Sequence, residues 1–208
     1  MSPLDAFVSV LLGLGTGLSL IIAIGSQNAF VLRLGIAGNN RTIGAVVLVC
    51  ALSDAVLIVA GILGIGAIIE SAPIALVIIR IVGAGFLFVY GALAALRAFR
   101  PRPLEVDGGV TVGLGAAVAT VIGLTWLNPH VYLDTVIFLG SVGNQQGADA
   151  RWWWAGGAIA ASFLWFFSLG FGARLLRPLF ARPVSWRVLD GIIAVVMLGL
   201  GVKIALGA

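Results

Sequence analysis

The sequence predicts an all-α integral membrane protein with six transmembrane helices in a three-plus-three inverted repeat, the first and fourth of them broken. Three observations carry this expectation. Hydrophobic residues make up 61% of the chain and charged residues only 10%, with a mean hydropathy of +1.17, far from the mix of a water-soluble domain. The apolar residues gather into six runs, each meeting the roughly 20 helical residues that cross a hydrocarbon core about 30 Å thick. Two runs are interrupted by polar residues, Ser26-Gln27-Asn28 and Asn128-Pro129-His130. A bilayer offers no water to open backbone groups, so such a break persists only where it lines a protein cavity or a permeation path.

The six spans are expected near residues 4–33, 42–69, 73–97, 111–143, 151–176 and 184–206 of a single domain covering 1–208. The first and fourth are too long for one straight helix, and Pro129 removes a donor and restricts Asn128 before it. Each therefore reads as two half-helices. The start, Met1-Ser2-Pro3-Leu4-Asp5, lacks the basic region of a signal peptide, so the first span is expected to stay in the protein. Connectors at 35–41, around Pro73 and at 143–150 are short, and a polar linker at 98–110 divides the chain. Three spans lie on each side of it. Because three is odd, the halves (about 4–97 and 111–206) would insert with opposite topology. Gly17-Leu18-Ser19 and Gly123-Leu124-Thr125 precede the breaks in the two equivalent spans.

Basic residues are retained on the cytoplasmic side during insertion. Connections one, three and five carry Arg33, Arg41, Arg97, Arg100, Arg102, Arg174, Arg177, Arg182 and Arg187, against Arg151 and Lys203 on the other face. Both termini are therefore expected outside. Trp152-Trp153-Trp154 then reads as an anchor at the outer interface. The net charge of +4 and isoelectric point near 10.2 come from arginines at helix ends, which topology explains without nucleic acid.

A lone Cys50, one histidine and two methionines exclude disulfides and provide no metal, haem or copper constellation. No cofactor is expected. No phosphate-cradling glycine loop ending in Lys-Ser/Thr is present, so any energy source must be a gradient. Ionisable residues inside a membrane cost roughly 2.5 to 3.5 kcal/mol each and mark pathways or pairs. Asp54, Asp134 and Arg80 are the candidates. An unpartnered carboxylate in hydrocarbon binds a proton, whereas a cationic neighbour or substrate keeps it charged, which suits proton-coupled transport. The structural alternative for Asp134 and Arg80 is a static ion pair. Asp54 has no second basic residue at its depth. Asp190 reads as an interfacial i,i+3 partner of Arg187, outside the site. His130 could act in proton transfer, but a lone histidine beside a helix break more often caps backbone groups. Gln27, Asn28 and Asn128 could hold a carboxylate or an amine, or repair broken-helix hydrogen bonding. Gly13 and Gly17 form a small-xxx-small pair that lets helices approach.

GLSLIIAIGSQNAFVLR (Gly17 to Arg33), Ser53-Asp54 and TWLNPHVYLDT (Thr125 to Thr135) together closely resemble the lysine exporter (LysE) family. The resemblance covers the whole length, with two separated motifs in order. Gln27, Asn28, Asp54, Asn128, Pro129 and Asp134 occupy the motif positions, while Ser26 and Ile24 stand where many relatives are expected to carry alanine and proline. What it implies is a non-enzymatic exporter of L-lysine or L-arginine in the bacterial inner membrane, driven by protons or the membrane potential. Partners would be the substrate, lipid and at most a second copy of the chain.

Two intramembrane carboxylates against Arg80 leave one surplus negative charge for a lysine or arginine side chain, with Arg80 or an amide holding the substrate carboxylate. Substrate would pass between spans one, two and four as one repeat rocks against the other. Three alternatives stand beside this. A neutral amino-acid exporter would use the aspartates for coupling or structure. A channel or sensor would lack alternating access. An intramembrane enzyme would have only a loose aspartic dyad in Asp54 and Asp134.

Overall fold

The computed structural model describes residues 1–22, 25–37, 39–65, 73–99 and 112–206, and these contain helices and no strand. In chain order the helices are α1 (Pro3–Ile21), α2 (Ser26–Ala37), α3 (Asn40–Ile62) and α4 (Pro73–Phe99), then α5 (Leu114–Trp126), α6 (Pro129–Asn144), α7 (Arg151–Gly172) and α8 (Pro183–Leu206). Five are each long and apolar enough to cross a membrane, and the bent pair α5–α6 supplies a sixth candidate. Several starts are written locally. Ser2 and Asp5 form a capping box with Pro3 in the first turn, and Asn39 accepts the Thr42 amide at 2.9 Å.

Helix boundaries fall beside both polar interruptions. α1 stops at Ile21 and α2 begins at Ser26. α5 stops at Trp126, α6 begins at Pro129, and their axes differ by 61°. α6 is not a uniform helix. After one α-turn it widens into a π-helix over Tyr132–Leu139 before an α-helical end at Gly140–Asn144. The wider winding puts residues five apart on one face.

Glycines set the closest helix packing. A Cβ on Gly13 would meet the Trp154 carbonyl oxygen, and one on Gly17 would come within 2.9 Å of the Ala161 methyl group, so α1 lies flat on α7. The expected small-residue face is thus occupied. Gly61 of α3 meets the Val136 carbonyl and Gly140 of α6 in the same manner. α4 packs along α8, and α3 runs between α7 and the α5–α6 pair. The buried core, with Phe30, Ile43, Leu87, Phe166, Trp186 and Met197, ties α2, α3, α4, α7 and α8 together. Ile81, Val89 and Leu96 of α4 and Val188, Val195 and Val202 of α8 face outward, as helices surrounded by lipid require. The chain is a multi-pass membrane protein.

Three expectations change. Trp152 and Trp153 are exposed, but Trp154 is 1% exposed, because the 100° step along the helix turns it onto Gly13 and Gly143. Asp190 is not an interfacial partner of Arg187. It is 3% exposed, and its carboxylate accepts from Arg33 Nε at 2.9 Å and Nη2 at 3.4 Å and from Arg97 Nε at 3.2 Å. Arg187, one turn before it on α8, is exposed and forms no ion pair among the described residues. The two guanidiniums lie over Trp186 and Tyr90, so this ion triad joins α2, α4 and α8. Third, α4 runs through Phe99, two residues into the expected linker. The rest of that linker with Arg100 and Arg102, the end of the second expected span at 66–69, and Ile24 lie outside the described residues.

Candidate functional site

The end of α1, the start of α2, the α5–α6 bend and the middle of α3 surround a cavity of about 310 Å³. Ser26, Gln27 and Asn28 reach it from the start of α2, Asp54 from α3, and Asn128 and Asp134 from the second interruption. Six of the eight expected site residues therefore line one space. Pro129 does not line it, but it occupies the first helical position behind Asn128, where its missing N–H costs no hydrogen bond.

Side chains beside each polar interruption satisfy backbone groups there. The Asn28 amide donates to the Ile21 carbonyl at 2.6 Å, satisfying one of the open acceptors at the end of α1. Asn128 accepts from the His130 amide at 3.1 Å. Tyr132 donates to the Trp126 carbonyl at 2.8 Å. His130 was expected to cap this break; Asn128 and Tyr132 do so instead, and the His130 ring lines the cavity, its Nε2 without a hydrogen-bond partner among the described residues. The two breaks are joined directly, because Gln27 Nε2 donates to the Thr125 hydroxyl at 2.7 Å.

Asp54 is 6% exposed, and its Oδ2 accepts from the fully buried Ser162 hydroxyl at 2.7 Å. One helical turn along α7, Trp165 Nε1 donates to Asn28 Oδ1 at 3.1 Å. α7 thus presents two donors, three residues apart on one face, to acceptors on two different spans. On the other side Trp126 Nε1 donates to Ser53 at 3.2 Å. Neither Ser162 nor Trp165 figures in the sequence motifs. Their signal was present, a hydroxyl and an indole at i,i+3 in an apolar run, but it has no meaning until α7 is known to pass behind Asp54.

Arg80 is the site residue that the structure does not deliver. It lies half-buried on α4, outside the cavity lining. The ion pairs among the described residues are those of Asp190, and none joins Arg80 to Asp134. Gly83, one turn on and on the same face of α4, presses on the Leu127 carbonyl and Pro129, so that face packs against the α5–α6 bend. The charge count at the cavity changes accordingly. Asp54 and Asp134 face Lys203 of α8 and the imidazole of His130. Ile58, Leu139, Phe166 and Leu200 supply apolar wall. The described residues hold no cluster of three metal-ligating side chains. Two carboxylates, one ammonium and several amides in a partly apolar pocket can hold a small zwitterion with a cationic side chain.

The profile of LysE type translocators matches residues 18–208, from the first motif through the last helix. The chain belongs to this family. Among relatives of the LysE type translocator described here, a Mycobacterium bovis protein named as a candidate amino-acid transporter is 43% identical, covering 90% of this chain and 92% of its own. The arginine exporter protein ArgO of Yersinia enterocolitica is 41% identical over 89% and 90% of the two chains. The lysine exporter LysE of Corynebacterium efficiens is 39% identical over 93% and 96%. No solved structure matches.

Proposed function

We propose that this translocator exports basic L-amino acids, lysine or arginine, from the cytoplasm across a bacterial inner membrane by alternating access, coupled to a proton gradient or the membrane potential. The carrying observation is the single cavity in which Asp54 and Asp134 stand with Gln27, Asn28 and Asn128 at two helix interruptions. Relatives named as lysine and arginine exporters support the substrate class. The two carboxylates match the α-ammonium and the side-chain cation of a basic amino acid, and in the empty half of the cycle each can carry a proton instead.

The helix packing supports the inverted repeat that alternating access would use. Exchanging span one (α1 and α2) with span four (α5 and α6), α3 with α7, and α4 with α8 maps the α1–α7 contact onto the contact of α3 with α5–α6. It maps the α2–α8 contact onto that of α4 with α5–α6, and leaves α3–α7 and α4–α8 as self-pairs. A two-fold axis in the membrane plane has this consequence. Glycine contacts follow the same exchange, with Gly35 of α2 against the Gly170 carbonyl of α7 and Gly140 of α6 against the Gly61 carbonyl of α3. In this reading Arg33, Arg97 and Asp190 lie toward the cytoplasm, and both termini lie outside.

Uptake of labelled arginine into inverted vesicles carrying the protein, with and without an imposed proton gradient, tests the reading. Gradient-dependent uptake that lysine blocks and leucine does not is the expected result. Uptake blocked by leucine would transfer the site to neutral amino acids, and no uptake would remove the transport reading.

A further inference from the structure

We infer that Lys203 is the specificity-determining residue that takes the carboxylate of the transported amino acid, and so separates amino acids from the corresponding amines. The inference rests on the proposed function and deepens it. Lys203 is the chain's one lysine and sits in the last turn of α8. Among the described residues lining the cavity, it is the one side chain with a permanent positive charge. Its ammonium makes no ion pair or hydrogen bond with any described residue. The same holds for the Asp134 carboxylate, although the two charges are near enough to attract one another.

Two opposite charges that share a cavity and do not close on each other leave room for a group between them. A zwitterion answers this geometry, with its α-ammonium on Asp134 and its α-carboxylate on Lys203. Both side chains are exposed, so the amino-acid head would sit at the open side of the cavity. Asp54, 6% exposed and oriented by Ser162, is the remaining anion for a side-chain cation. The nine described arginines do not compete for this role: none of them lines the cavity. Without a cation there, two carboxylates would favour a diamine, which carries the same two positive charges and no carboxylate to desolvate.

The test compares arginine with agmatine, its decarboxylated form, as competitors for labelled arginine uptake in inverted vesicles. Wild-type protein should prefer arginine. Lys203→Gln should weaken arginine about tenfold while agmatine is unchanged or strengthened, and Lys203→Arg should restore most of the preference. Equal weakening of both competitors, or no change in either, overturns the role of Lys203 and leaves the exporter reading standing. Wild-type vesicles that take up no arginine overturn the exporter reading, and this inference with it.

Discussion

Asp54 is the residue on which the site turns. It is buried near the middle of α3, where its carboxylate accepts from Ser162; in the proposed cycle a substrate cation or a proton balances its charge. Asp54→Asn keeps the shape and the Ser162 contact but removes the charge. Normal protein levels with arginine uptake reduced at least about tenfold are expected, and uptake at the wild-type rate would remove Asp54 from the mechanism. Ser162→Ala removes only the donor. Because the loss is about one hydrogen bond to a charged group, roughly 1.5 to 3 kcal/mol, uptake should fall less than in Asp54→Asn, with Ser162→Thr recovering part of it. Arg80→Gln should leave substrate affinity unchanged, since the side chain does not line the cavity.

At the scale of elements, the α1–α7 contact depends on missing side chains. Gly13 and Gly15 are two residues apart on the same helix and should respond in opposite ways. Gly13→Val drives a branched side chain into the Trp154 backbone, and overpacking of this kind costs roughly 1 to 3 kcal/mol. Gly15→Ala meets nothing within 4 Å and replaces a poor helix former by a good one, so it should be neutral or stabilising by up to about 1 kcal/mol. Melting temperatures in detergent will separate them. The π-helix is the other element with a stated consequence. It sets Asp134 and Leu139, five apart, on the cavity side, a register that a continuous α-helix would split.

For the whole molecule, the ion triad is the polar link between α2 in the first half of the chain, α4 at its end and α8 in the second half. Asp190→Ala leaves two guanidiniums facing each other with no counter-charge. A fully buried break of this kind costs 3 to 5 kcal/mol; Arg33 and Arg97 are 23% and 33% exposed, so about 2 kcal/mol is expected, with a lower melting temperature. Adding Arg97→Gln should give back part of the loss, and simple additivity of the two substitutions would argue against a shared network. Orientation is testable with one cysteine at a time. Cys50 is fully buried, so Cys50→Ala provides a background in which Ser2→Cys should react with an impermeant thiol reagent on intact cells, while Arg41→Cys should not.

Much of this was legible in the residues because membrane insertion and helix breaking are local physics. Hydropathy alone placed α4, α7 and α8 close to their expected spans, since a run of about 20 apolar residues has no other stable arrangement in lipid; α3 stops at Ile62, well short of the expected end at 69. Asn28, Asp54, Asn128 and Asp134 stood out because polar groups at that depth are expensive and need a reason. The sequence by itself therefore determined the membrane class, the helix positions and most of the polar residues that meet in the cavity. Only the tertiary structure decided the partners. Whether Arg80 or Lys203 faces the aspartates, whether Asp190 reaches Arg187 or Arg33 and Arg97, and which donor on α7 meets Asp54 all depend on how each helix is rotated about its axis. That rotation is set by close contacts such as Gly13 on Trp154 and Gly83 on Leu127, between residues far apart in the chain, and no local pattern in the sequence encodes it.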